Sequence, residues 1–272
     1  MAVLDAVLAD LAAEGNDLDL LVAGIEPGRW QTGTPSPGWT IAHQIGHLAS
    51  SDRFTVLAMT DPAAFASRRA EAASDFDATT DADAADASLL PPGELLTEWR
   101  ESRAAVLEGL AAVPPGQKVP WLVVPMAPAS LASTRLMELI GHGQDVRDAL
   151  GVNWRPTDRI VHLARLGHRT RDFAYVSRGL QPPASEFRVE LTSPGGELWT
   201  FGPEDATQRV TGPAADFCLL VTRRRNRADL RLRAEGADAD QWLDFAQAYA
   251  GPPSVGRAPG QFPAAGGLCR PA

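Results

Sequence analysis

Two stretches decide how this chain is read: Trp39-Thr-Ile-Ala-His43-Gln-Ile-Gly46-His47-Leu48, and further on Arg135-Leu-Met-Glu138-Leu-Ile-Gly141-His142-Gly-Gln-Asp145. Each carries a pair of metal-ligand side chains four positions apart, His43 with His47 and Glu138 with His142. An α-helix turns once per 3.6 residues, so positions i and i+4 share a face about 6 Å apart along the axis and can converge on one ion. Imidazole nitrogen with carboxylate oxygen suits zinc or another first-row divalent cation, whereas calcium and magnesium favour all-oxygen sites. The chain has only 5 histidines, and three of them fall in these pairs. The same spacing also arises on ordinary helix surfaces, with the histidines bonded to carbonyls and Glu138 paired with Arg135 one turn earlier, so spacing alone leaves both readings open. Gly46 and Gly141 each precede the distal histidine of a pair. Glycine inside a helix costs about 1 kcal/mol relative to alanine, which makes sense where another helix or a ligand must come close. Asp145, three residues after His142, is placed to accept the ring N–H of a metal-bound imidazole.

Outward from these stretches, apolar periodicity predicts four long helices at about 2–24, 41–60, 96–113 and 130–150. The acidic, alanine-rich stretch at 74–92 reads as a mobile loop or a poorly packed helix, and 117–129 as a loop. A connecting helix is expected within 156–182. The period then changes to strands at 187–193, 197–202 and 207–212, with Pro194-Gly195-Gly196 as a hairpin signal. A helix at about 213–224, a strand near 230–234 and a helix at 238–250 follow. The expected fold class is therefore α+β: a helical bundle of four long helices (1–155), the connecting helix (156–182), a small α+β C-terminal domain (183–252), and a flexible Gly/Pro-rich tail (253–272).

Composition narrows the partners. The 272 residues carry a net charge of −9 and contain a single lysine, Lys118. That balance disfavours nucleic acid and anionic membrane surfaces. Acidic residues near the N-terminus are unlike a signal peptide, and no stretch approaches the roughly 18 apolar residues of a membrane span. Cys218 and Cys269 are too few for a disulfide framework or a thiolate cage, so a cytoplasmic protein, monomer or homodimer, is expected.

The segments Trp39–Leu48 and Arg135 to Asp148 resemble the metal-binding core of DinB-like four-helix bundles. Among these they are most similar to the actinobacterial branch containing mycothiol-dependent maleylpyruvate isomerases and their uncharacterised metal-binding relatives. In that family a Trp-Thr loop leads into a helix carrying a His-Leu ligand, and a later helix carries Glu-x-x-x-His. The resemblance spans about residues 1–180, and the α+β unit is similar to the C-terminal domain of the same isomerases. It implies that His47, Glu138 and His142 ligate Zn2+ or another divalent first-row metal. It further implies that a metal-activated small-molecule thiol such as mycothiol adds to a small electrophilic or unsaturated acid, for isomerisation or thiol transfer. An arginine of the second domain would hold the substrate carboxylate, with Arg223, Arg224, Arg225 and Arg227 as candidates. A solvated basic turn is the competing reading of those four. His43 stands where relatives often have another polar residue. As a fourth ligand it would close the site; otherwise three protein ligands leave a position open, the catalytic pattern we expect, and His43 is then a catalytic candidate. His162 and His168 read as ordinary packing, and Trp30, Trp39 and Trp121 as bundle packing or the lining of its mouth. Two other functions stay open. One is a metal-dependent hydrolase, lyase or tailoring enzyme of secondary metabolism using metal-bound water; the other is a non-catalytic metal-binding module.

Overall fold

Helix α1 (Ala2–Ala23), α2 (Ile41–Thr60), α3 (Pro62–Ala72), α4 (Phe76–Ser88), α5 (Pro92–Ala112) and α6 (Pro128–Leu150) build the first of two units in a computed structural model that describes residues 2–73 and 75–262. The long helices α1, α2, α5 and α6 form the bundle, with α2 packed on α5 and α6, and α1 on α6 and α5. Their inward faces carry the apolar stripes that the sequence shows. Leu18 and Val22 of α1, Ile41, Ile45 and Leu48 of α2, Trp99, Val106 and Leu110 of α5, and Leu131, Leu136 and Ile140 of α6 are buried. Removing a side chain of this size from water is worth about 1.5–3 kcal/mol. Asp19 of α1 ties two elements together by accepting from Arg100 Nε and Nη2 at 2.8 and 2.6 Å and from Arg103 Nη2 at 2.7 Å, both on α5.

The acidic stretch expected as a loop or a poorly packed helix is a packed helix, α4. Asp75 caps it by accepting from the Ala78 backbone N–H, and its alanines form a low surface that α2 can approach. Ala84 and Ala87 are buried, and a Cβ built on Gly46 would lie 2.8 Å from Ala87 Cβ and 3.2 Å from the Ala84 carbonyl oxygen. Gly46 is thus required by helix approach.

The second unit spans 151–272. The expected connecting helix is two short helices, α7 (Val161–Arg169) and α8 (Arg171–Val176), separated at Thr170, which leaves helical geometry (φ −92°, ψ 10°) while its hydroxyl bonds the Leu166 and Gly167 carbonyls. Strands β1 (Phe187–Thr192), β2 (Leu198–Phe201), β3 (Gln208–Pro213) and β4 (Arg233–Glu235) form a sheet in the order β2-β1-β3-β4. β1 pairs antiparallel with β2 through the Pro194-Gly195-Gly196 turn, in which Gly196 takes φ +92°, and pairs in parallel with β3. Alternation puts Phe187, Val189 and Leu191 inward, under α9 (Ala214–Val221) and α10 (Ala237–Phe245), whose Phe217 and Trp242 meet edge to face. Beyond α10, 251–262 runs without helix or strand, and Arg223 bonds the Ser254 and Val255 carbonyls in it. The rest of the expected tail, with Cys269, lies outside the described residues. Among the described residues no helix is long and apolar enough to cross a membrane.

Candidate metal centre

The site begins in the loop before α2. Gly33 and Thr40 pair as an isolated bridge, Thr34 N–H donates to the Trp39 carbonyl at 2.7 Å, and Trp39 N–H donates to Ser36 O at 3.0 Å. This tight loop delivers Thr40 as the N-cap of α2, and a capping box closes there with His43 as the reciprocating residue. His43 Nδ1 accepts from the Thr40 backbone N–H at 3.4 Å and lies 2.8 Å from Thr40 Oγ1. His43 is therefore engaged in starting the helix. Burial pulls its imidazole below the usual value, with Asp81 opposing. One turn on, His47 faces α6.

Three ligand-bearing residues meet between α2 and α6. His47, Glu138 and His142 each offer one ligand atom, all within 4.8 Å of one another. His47 Nε2 lies 3.6 Å and His142 Nε2 3.2 Å from Glu138 Oε2. The side chains are 16%, 18% and 13% exposed, so the cluster is sheltered but reachable. Burial pushes the Glu138 carboxyl up, but hydrogen bonds from His142 and His47 and the Arg135 charge hold it well below the usual carboxylate range. Arg135 reaches Glu138 Oε1 at 3.8 Å, bonds Ser51 Oγ, and lies 5.0 Å over the Trp121 ring. The expected pairing of Arg135 with Glu138 and the convergence of Glu138 with His142 therefore coexist.

Trp39 lies over both imidazoles, its ring centre 5.4 Å from that of His47 and stacked 5.8 Å from that of His142. Its indole N–H donates to Asp81 on α4 at 2.8 Å, which fixes the ring in place. Trp30 is buried, and Trp121 stacks on Phe65 inside the unit.

Several residues at this site carry no signal in the sequence. Gln44, fully buried, sets its Oε1 2.6 Å from His142 Nδ1, while Asp145 accepts from Ser36 Oγ at 3.0 Å. Neither Gln44 nor Ser36 stands at a ligand spacing, because their partners come from α6. The arginine candidates sit in the second unit, each with partners there. Arg223 bonds the Asp244, Ser254 and Val255 carbonyls, and Arg227 bonds Asp240 and Asp244. Arg225 is buried with its guanidinium 4.9 Å over the Phe262 ring, and Arg224 bonds the Thr222 carbonyl. His168 bonds the Phe187 carbonyl at 3.3 Å and stacks on Phe201, as expected of a packing residue. Buried Cys218 places its thiol 3.7 Å from the Ile160 carbonyl, and burial pushes the thiol far up, away from thiolate.

These features define a class: a DinB-like helical bundle that gathers two imidazoles and a carboxylate from facing helices, joined to a small α+β unit. A sequence profile described as the mycothiol maleylpyruvate isomerase N-terminal domain matches residues 11–147, and the chain belongs to that family. A second profile, described as wyosine base formation, matches residues 183–233. An uncharacterised protein of Mycobacterium tuberculosis, in strains CDC 1551 and H37Rv, is 51% identical over 250 residues, covering 92% of this chain and 97% of the relative. The crystal structure of the mycothiol-dependent maleylpyruvate isomerase superposes with a TM-score of 0.57 at 15% identity, covering 85% of this chain and 92% of that one. A histidine-to-alanine mutant of the same enzyme gives 0.56. At that identity the likeness carries the fold.

Proposed function

We propose that His47, Glu138 and His142 hold one divalent cation, zinc first among the choices, in an enzyme that adds a small-molecule thiol to an unsaturated carbonyl acid. The observation that carries this reading is the convergence of the three ligand atoms within 4.8 Å. Two imidazoles and one carboxylate are the donor set of a borderline divalent ion, and three protein ligands leave a position for an incoming group. Glu138, held well below the usual carboxylate range, offers an anionic oxygen beside both imidazoles. His43, engaged in the cap of α2, is not counted among the ligands.

A cation bound there would lower the pKa of a thiol brought to it, making thiolate available near neutral pH. Buried, protonated Cys218 is unsuited to act as that thiol, which favours an external one. The family and the crystallised isomerase point to mycothiol. The chemistry is addition of the thiolate sulfur to an alkene carbon conjugated to a carbonyl, rotation about the resulting single bond, and elimination that returns the thiol and the trans alkene. Where elimination does not follow, protonation of the adduct makes the reaction a thiol transfer. Trp39 walls one side of the cluster and limits water. Arg223, Arg224, Arg225 and Arg227 remain the candidates for holding a substrate carboxylate, read by a rise in KM in single alanine variants.

The test is metal analysis of the purified protein followed by incubation with mycothiol and a panel of cis-enoyl acids. About one divalent ion per chain is expected, with loss of the ion in His47→Ala and His142→Ala and thiol-dependent turnover of at least one acid. Full metal content in both variants overturns the site. A metal-loaded protein that consumes an acid equally well without thiol overturns the chemistry.

A further inference from the structure

A chain of hydrogen bonds behind the site fixes which nitrogen of His142 carries the ring proton and which points at the cluster. The Trp39 carbonyl can only accept, and Thr34 Oγ1 lies 2.9 Å from it, so the single hydroxyl proton of Thr34 points there. Towards Gln44 the same oxygen must accept, and Gln44 Nε2 at 2.9 Å is its donor. That sets the amide orientation: Gln44 Oε1, an acceptor only, faces His142 Nδ1 at 2.6 Å. Nδ1 therefore carries the ring proton. A protonated ring donates from Nε2 to Glu138 Oε2, 3.2 Å away; in the neutral ring Nε2 carries no proton and points its lone pair at the same place.

From this geometry we propose that Gln44 is a positioning residue for the metal centre. Held by Thr34 and the Trp39 carbonyl, it sets His142 as the Nδ1–H tautomer and aims Nε2 at the ion. This rests on the cation reading above, but the tautomer is a property of the metal-free protein and can be measured without it. The loop that carries the wall of the site, Trp39, thus also orients a ligand. Partners of this kind behind ligating histidines change metal affinity by about 10–100-fold when removed.

The test begins with chelator-treated wild-type protein labelled with 15N-histidine, at pH 9. Two-bond 1H–15N correlation spectra, with the His142 signals assigned by their loss in His142→Gln, report the tautomer directly. Protonated Nδ1 with bare Nε2 is expected; protonated Nε2 overturns the proposal whatever the variants do. Zn2+ affinity by chelator competition is then read in Gln44→Met and Gln44→Glu. The Met variant, similar in shape but with no acceptor, is expected to mix tautomers and lose about 10–100-fold in affinity while keeping its circular dichroism. The Glu variant keeps the acceptor and is expected to stay within a few-fold of wild type. Equal affinity in Gln44→Met and wild type, or equal losses in both variants, overturns the positioning role. A wild-type protein that shows the expected tautomer but binds no divalent ion refutes the metal reading and leaves the hydrogen-bond chain standing.

Discussion

Asp52 offers the sharpest quantitative check on the bundle. It sits on α2, 8% exposed, beside a small cavity lined also by Leu11, Val106, Leu139, Arg103 and Arg135. Burial pushes its carboxyl up to about 7; Arg135 and Arg103 pull it back down in part, and Glu138 adds to the rise. In an unfolded chain an aspartate ionises near pH 3.9. Below pH 4 the carboxyl is protonated in both states and costs nothing. Between pH 4 and 7 the unfolded chain has released a proton that the folded chain keeps, so stability falls as pH rises, by about 1.4 kcal/mol per pH unit. Over roughly three pH units the loss reaches about 4 kcal/mol and then levels off. Asp52→Asn keeps the shape and removes the proton equilibrium. Urea unfolding of chelator-treated wild type and variant at fixed ionic strength, from pH 4 to 8.5, measures the difference. We expect the variant's advantage to climb from near zero at pH 4 to a plateau above pH 7 approaching that 4 kcal/mol. A difference that stays flat across the range, or a variant less stable at pH 8, refutes the account of Asp52 as a carboxyl penalised by burial.

Three further outcomes follow from the packing. Gly46→Val drives a side chain into Ala87 of α4, where even a Cβ would come within 2.8 Å; overpacking of this kind costs about 1–3 kcal/mol, and Ala87→Gly in the same chain recovers part of it in thermal melts. Asp19, held below the usual carboxylate range chiefly by its hydrogen bond from Arg100, contributes stability that is present above its unfolded value and lost as pH falls through its folded one. Asp19→Asn strips the partner from Arg103, leaves a sheltered charge behind, and is expected to cost about 3–5 kcal/mol at pH 7 while flattening the stability profile below pH 4. Arg223→Ala releases the carbonyls of Asp244, Ser254 and Val255, and limited proteolysis is expected to cut within 251–257 several-fold faster than in wild type.

The parts of this fold that could be read from sequence are those set by local periodicity. The apolar stripes of α1, α2, α5 and α6 and the alternation of β1 declare themselves because each residue's environment repeats with its own helix or strand. Glu138 and His142 are visible for the same reason, one turn apart on α6. What stayed hidden depends on a neighbour distant in sequence. The alanines of α4 resemble low-complexity filler until Gly46 is seen to receive them. Gln44 has no spacing relation to His142, since 98 positions separate them. His43 is a different case: its i, i+4 relation to His47 left a ligand and a non-ligand role both open, and an imidazole at the third position of a helix after threonine can serve the capping box, as it does here.

The two histidines of α2 thereby divide the labour that the proposed metal centre would require. A ligand must be held still, and the first turn of a helix is its least stable part because four backbone N–H groups there lack partners within the helix. His43 and Thr40 satisfy two of them reciprocally, which firms the helix one turn below His47. On the other side, α6 brings Glu138 and His142 from deep within its length, where Arg135 bonds Ser51 of α2 and braces the carboxylate. Each of the three converging side chains thus sits on helix whose own ends or neighbours are locked, and Trp39 is held over the cluster by its hydrogen bond to Asp81, its loop's backbone bonds and its contacts with both imidazoles.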